Sequence, residues 1–204
     1  PAVTAGPEIT GGYLLQIDEL ALGSPRCFTT TVAQVTICGE DPEALDGLAA
    51  QRAYIAGYVQ DAENALYGAD FASTTAGYAA YIDTKLLIDW YLVEELFANQ
   101  DSNFQSSVNF SWVPGKKFVF GPVWDFDLSA GTRWRGSSSP TAWYTRLGRH
   151  WVARMLQDPA FSARVKSRWA RLKPVERQVI SEIPAAAAAL APAAEADWAQ
   201  WHAS

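Results

Sequence analysis

Gly121-Pro122-Val123-Trp124-Asp125-Phe126-Asp127-Leu128-Ser129-Ala130-Gly131 sets two carboxylates, Asp125 and Asp127, two residues apart in an otherwise apolar run. Taking an unpaired carboxylate out of water is costly, so such a pair needs a cation, hydrogen-bond donors or solvent. In an extended chain residues i and i+2 point the same way; both acids would then face one site while Trp124, Phe126 and Leu128 anchor the backbone in a core. A hard cation such as Mg2+ takes one or two carboxylates together with phosphate oxygens, so Asp-Phe-Asp reads as a metal and phosphate site. The alternative reading of these residues is a surface turn with two solvated aspartates.

Working outward, Val108–Trp112, the turn Pro114-Gly115-Lys116-Lys117 and Phe118–Val123 make a hairpin. It would deliver Asp125 and Asp127 toward the polar loop Asn99–Ser107, which carries Asp101. That loop leaves a helix over about 84–98 that is apolar nearly all round from Leu86 to Phe97, as a helix in mid-core must be. A polar loop leaving so buried an element favours function over mere connection. Further upstream, Asp41-Pro42-Glu43 reads as a helix start, and Leu45, Leu48, Ile55, Val59, Ala62 and Leu66 recur at helical spacing over 42–67. Gly11-Gly12 punctuates a short apolar run, Tyr13–Ile17, that suits a buried strand and ends in Asp18-Glu19, two acids that would line a cleft or else face water.

Cys27 and Cys38, the only cysteines, flank a Thr-rich segment that folds back as a hairpin. Joined, they would place the protein outside the cytoplasm; two buried free thiols are the alternative. After a Gly/Ser-rich loop over 132–142, Leu147, Trp151 and Met155 share a helical face. Asp158-Pro159 starts another helix, with Phe161, Val165, Trp169 and Leu172 at near-fourfold spacing. The alanine-rich tail is helical in propensity, with Pro184 and Pro192 as interruptions. It ends at Trp198 and Trp201, expected to pack on the body rather than to bind sugar.

The 204 residues suffice for one domain with a sizeable core, or one lobe of something larger. With 49% hydrophobic and 19% charged residues, general disorder is excluded. A net charge of -6 supplies no basic field to displace counterions from phosphates, which excludes a non-specific nucleic-acid binder. No run of about eighteen apolar residues is present, so no membrane span is expected. The chain starts at Pro1, as a processed or excised piece would. No glycine-rich phosphate loop occurs, and His150 and His202 stand alone, which disfavours zinc sites and histidine-based triads. Asp101, Asp125 and Asp127 remain as the residues for chemistry.

A buried helix, Asn99-Gln100-Asp101, the pair Ser106-Ser107, a hairpin and then Gly-Pro-Val-Trp-Asp-Phe-Asp follow one another in an order that resembles the spore-coat-protein-H (CotH) kinase family, an atypical protein-kinase-like group. Gly12–Glu19, Tyr81-Ile82-Asp83 and Trp90–Leu96 are similar to further pieces of that family, so the resemblance runs from about Gly11 to the end. It implies an α+β fold, mostly helical, like the C-terminal lobe of a kinase with a small antiparallel sheet, with 1–204 as a single domain. It also implies a secreted or surface protein that transfers the γ-phosphoryl of ATP to Ser or Thr of a protein substrate, with Mg2+ or Mn2+. On matching positions Asp125 resembles the metal-binding aspartate and Asp101 the catalytic-loop aspartate. Asp127 would be a second metal ligand or hold the loop, and Asp18, Glu19 and Ser106 would line the nucleotide site.

Two departures accompany the resemblance. Ser106 stands where an ordinary kinase has a metal-binding Asn five residues after its catalytic Asp, and no glycine-rich strand pair with its lysine and glutamate precedes Gly11. The chain is therefore expected to be a C-terminal lobe, poorly active alone. The competing functions are a non-catalytic surface, adhesion or spore-coat module of the same fold, and a glycoside hydrolase that would have to pair Asp101 with Asp125 or Asp127. Oligomeric state and nucleotide preference stay open.

Overall fold

A computed structural model describes residues 6–42, 45–131, 139, 141–147 and 150–202. The chain divides into two compact units, one ending at Val165 and one beginning at Lys166. The architecture is α+β: a five-stranded antiparallel sheet with helices. After a short helix α1 (Pro7–Thr10) come β1 (Tyr13–Ile17), β2 (Cys27–Thr29) and β3 (Thr36–Asp41). Helices α2 (Ala49–Tyr67) and α3 (Thr84–Leu96) follow, then β4 (Val108–Trp112), β5 (Val119–Phe120), α4 (Trp151–Met155) and α5 (Pro159–His202).

The sheet order is β2-β3-β1-β4-β5, so the first strand lies at its centre, paired with β3 on one side and with β4 on the other. Tyr13, Leu15 and Ile17 of β1 alternate inward and lie opposite Trp112, Phe110 and Val108 of β4, which gives the sheet one continuous apolar face. Both long helices bury against that face. Tyr58 of α2 meets Trp112 at 4.8 Å and Trp90 of α3 meets Phe120 at 5.3 Å between ring centroids. Phe110, Phe120, Phe104 and Trp151 continue the ring packing, so large rings make up much of this core.

Cys27 lies directly opposite Cys38 in the β2–β3 ladder, and the two are joined in a disulfide. The expected helix start at Asp41-Pro42-Glu43 is corrected. Asp41 ends β3, its backbone committed to the ladder opposite Leu14, and α2 begins at Ala49; Glu43 lies outside the described residues. Leu45 instead tucks under the sheet, where a Cβ on Gly39 would strike its side chain. Glu63 of α2 is fully buried and takes the Val32 amide and the Trp151 indole N–H, each at 2.9 Å, which ties α2 to the β2–β3 turn and to α4.

Helix α3 begins at Asp83, whose Oδ1 accepts the amides of Lys85 and Leu86 at 3.0 and 3.1 Å. Leu87, Ile88, Trp90, Tyr91, Leu92 and Glu94 are buried, while Leu86 and Leu96 are exposed, so α3 is a core helix with one open edge. Leu147 does not continue the face of Trp151 and Met155: it ends a short 3-10 turn, Thr145–Leu147, and is exposed. Most of the 132–142 loop, residues 132–138 and Pro140, lies outside the described residues.

Asp158 caps α5, its Oδ1 taking the Ala160 amide at 2.8 Å and its Oδ2 the Tyr78 hydroxyl at 2.7 Å, and Phe161 is fully buried. In the second unit α5 runs unbroken through Pro174, Pro184 and Pro192. Trp198 and Trp201, expected to be covered, are exposed. Although no uninterrupted apolar run occurs, an 18-residue window within Pro159–Trp201 reaches a mean hydropathy of 1.2 with none of it buried, enough by length and composition alone to cross a membrane.

Candidate functional site

Two loops meet beyond the ends of α3 and β5. The first, 97–107, follows the core helix; the second, 121–131, follows the hairpin. Non-glycine residues with left-handed backbone concentrate here: Ala98, Phe104 and Ser107 in the first loop, Asp125 and Ala130 in the second, with Gln34 the one other case among the described residues. Such conformations cost roughly 1–3 kcal/mol each and persist where surrounding contacts over-determine them, as they do at sites. Phe104, at φ 69°, is held by burial of its ring against Trp151 and by stacking on His150 at 5.4 Å.

Backbone bonds fasten the loops together: Gln100 N–H donates to Leu128 O at 3.3 Å and Ala130 N–H to Phe97 O at 2.6 Å. The Phe97 and Phe126 rings meet edge to face at 5.7 Å. A cavity of about 250 Å³ opens between the loops, lined in part by Phe97, Ala98, Gln100, Ala130 and Tyr144.

The polar row across this junction begins at the end of β1. Asp18 Oδ1 accepts the Ser106 hydroxyl at 3.4 Å, the two serine hydroxyls lie 3.5 Å apart, and Ser107 donates to Asp125 Oδ2 at 3.1 Å. The Glu19 amide bonds Gln105 O at 2.8 Å, which brings the acidic end of β1 beside the first loop. Glu19 Oε1 is buried with no hydrogen-bond partner, as is His150 Nδ1, and burial depresses the His150 pKa. The structure thus brings together Asp18, Ser106 and Asp125 of the residues singled out in the sequence, with Glu19 alongside.

Asp101 is placed differently. It opens a short turn, Asp101–Asn103, and is 8% exposed. Its N–H donates to Asn99 Oδ1 at 3.3 Å and its carbonyl accepts Gln105 N–H at 3.1 Å. Ser102 beside it bonds Asn99 O at 2.7 Å and meets the buried Thr145 hydroxyl at 2.5 Å. Beneath the turn, Glu94 Oε2 accepts the Asn99 side-chain amide at 2.8 Å; burial pushes the Glu94 pKa up to about 7 against the hydrogen bonds from Asn99 and Trp90. Glu95 takes the amides of Tyr144 and Arg146 at 2.5 and 3.2 Å, and burial raises its pKa as well.

Two expectations about Asp125 and Asp127 are corrected. The chain at Asp125 is left-handed, with φ 60°, so the extended alternation that would aim both carboxylates one way does not hold. Trp124 is 59% exposed and does not anchor a core. Both aspartates are exposed, and no group of three His, Cys, Asp or Glu able to hold a metal exists among the described residues, so Asp101, Asp125 and Asp127 do not form one three-carboxylate cage. What the residues do fit is Mg2+ held in the usual sparse way, by one or two carboxylates with the remaining positions left to water and phosphate. Exposed Asp125, oriented by Ser107, offers such a carboxylate.

Ser107, Glu94, Asn99 and Thr145 were not singled out by sequence. Ser107 sits next to Ser106 in a visible pair and Asn99 inside a visible Asn-x-Asp, whereas Glu94 and Thr145 carry no local signal.

A family model described as CotH kinase protein matches residues 13–204. No curated protein and no solved structure matches the chain.

Proposed function

The chain belongs to the CotH kinase protein family, and from that premise we propose that its two-loop junction is a phosphotransfer site. Its substrates are ATP and a Ser or Thr hydroxyl of a protein, and its fold corresponds to the C-terminal lobe of a kinase. The observation that carries this reading is the docking of the 121–131 loop on the 97–107 loop, which sets Asp125 against Ser107 in the loop that also carries Asp101.

The Mg2+ bound with the nucleotide supplies charge neutralisation on the β- and γ-phosphates. Asp125 would hold that ion, with Ser107 orienting its carboxylate through the 3.1 Å hydrogen bond. Asp127, exposed on the same loop, would be a second ligand to that ion or hold the loop. Asp18, Ser106 and Glu19 line the nucleotide side, Ser106 donating to Asp18. Asp101 accepts the proton of the acceptor hydroxyl as its oxygen bonds the γ-phosphorus and the bond from that phosphorus to the β–γ bridging oxygen breaks, releasing ADP. The Cys27–Cys38 disulfide supports work in an oxidising, extracytoplasmic setting, secreted or at the cell surface.

A second reading, a non-catalytic surface or spore-coat-type module, draws on the same family match, since one fold hosts catalytic and non-catalytic functions. Incubation with γ-labelled ATP, Mg2+ or Mn2+ and a protein acceptor separates the two. Label transfer by the wild type but not by Asp125→Ala supports the kinase reading; no transfer, with nucleotide binding also absent, supports the module.

A further inference from the structure

Glu94 is a carboxyl group in the middle of the core helix, 3% exposed, where an apolar residue would pack at no electrostatic cost. Its Oε2 accepts Asn99 Nδ2–H at 2.8 Å, and Asn99, itself 2% exposed, turns its Oδ1 to the Asp101 N–H at 3.3 Å. Once ionised, above a pKa of about 7, the Glu94 carboxylate only accepts, and at pH 8 it admits one orientation of the Asn99 amide. The flipped amide would set its oxygen against the carboxylate and its NH2 against the Asp101 N–H, losing both bonds. The Asn99 carbonyl in turn receives the Ser102 hydroxyl at 2.7 Å, so the turn bearing Asp101 hangs on the Asn99 side chain and backbone together.

We propose that Glu94 is a positioning residue: by fixing the orientation of the Asn99 amide it holds the backbone turn that presents Asp101. For catalysis this rests on the phosphotransfer reading; for structure it does not. The groups acting on the Glu94 carboxyl are the neutral donors of Asn99 and Trp90, and no charged side chain is among them. A glutamine at this position presents either an acceptor or a donor and so leaves the Asn99 amide free to take both orientations. A residue that merely filled space would pass its effect to stability alone.

The test uses the full chain at pH 8 with Glu94→Gln, Asn99→Ala and the double variant. Amide hydrogen exchange at Asp101, read by NMR without nucleotide, should accelerate about tenfold in each, the worth of one lost hydrogen bond. The double variant should be no worse than Asn99→Ala, because the effect passes through Asn99. In the labelled-ATP assay kcat should fall about tenfold while KM for ATP stays within about twofold, since Asp101 acts on the acceptor rather than on the nucleotide. Asp101 exchange unchanged in Glu94→Gln, or additive losses in the double variant, would overturn the proposal. Should Glu94→Gln not fold, unchanged exchange in Asn99→Ala overturns it equally. If the wild type transfers no label, the phosphotransfer reading fails, and the exchange data alone decide whether Glu94 orders the turn.

Discussion

Replacing Glu94 with Gln keeps the shape of the side chain and removes its titration, so the pH dependence of stability isolates what burying this carboxyl costs. Its pKa is raised from the ordinary 4.5 to about 7 in the folded chain, with burial as the leading cause. The folded state therefore keeps a proton that the unfolded state has already lost. Stability is full below about pH 4.5, falls as pH rises toward 7, and is level above that. A rise of about 2.5 pKa units at 1.36 kcal/mol per unit amounts to roughly 3 kcal/mol. Urea denaturation of both proteins between pH 4.5 and 8 reads it directly. The two should be similar at pH 4.5, and the variant should gain on the wild type by up to about 3 kcal/mol by pH 8. Glu95, whose pKa is also raised, and His150, whose pKa is lowered, are common to both proteins and drop out of the difference. A difference that stays constant within about 0.5 kcal/mol across the range would refute a buried, proton-retaining Glu94.

The Cys27–Cys38 bridge closes a loop of sequence separation 11, and the chain-entropy relation assigns such a loop about 3 kcal/mol; Cys27→Ser/Cys38→Ser should lower stability by that order in denaturant titration, and an unchanged midpoint would speak against the bridge. A Cβ on Gly77 would run into the Phe71 carbonyl oxygen, a backbone atom that cannot swing aside, so Gly77→Ala should destabilise by about 2 kcal/mol or more in thermal melts. Gly57, mid-helix with open space around its Cα, should tolerate alanine and gain up to about 1 kcal/mol, the opposite sign from the same change.

Local chemistry made the sheet and core helix legible. The short apolar run Tyr13–Ile17 after its glycine pair, the glycine turn of the β4–β5 hairpin and the near-continuous apolar surface of α3 are each read within a few residues. Asp41-Pro42 misled for the complementary reason: its pairing with Leu14 across the sheet outweighed a local helix signal. The Asp125–Asp127 alternation presumed extended backbone, and the left-handed turn at Asp125, tied to Ser107 eighteen residues earlier, was invisible without the fold. Glu94 was hidden for a different reason, since an acid among the three of α3 reads as part of an exposed edge until burial is known. Asp101, by contrast, was visible as the acid leaving the core helix, and the loop that carries it bonds the second loop through Phe97 and Gln100.

The central claim, that this junction moves a phosphoryl group, is tested most directly by transfer of label from γ-labelled ATP to protein Ser or Thr in the presence of Mg2+, comparing the wild type with Asp125→Ala. Asp125 is exposed, so the variant should fold as the wild type does. The account predicts Mg2+-dependent labelling by the wild type that chelation abolishes and that Asp125→Ala lacks. Equal labelling by the two proteins would contradict it.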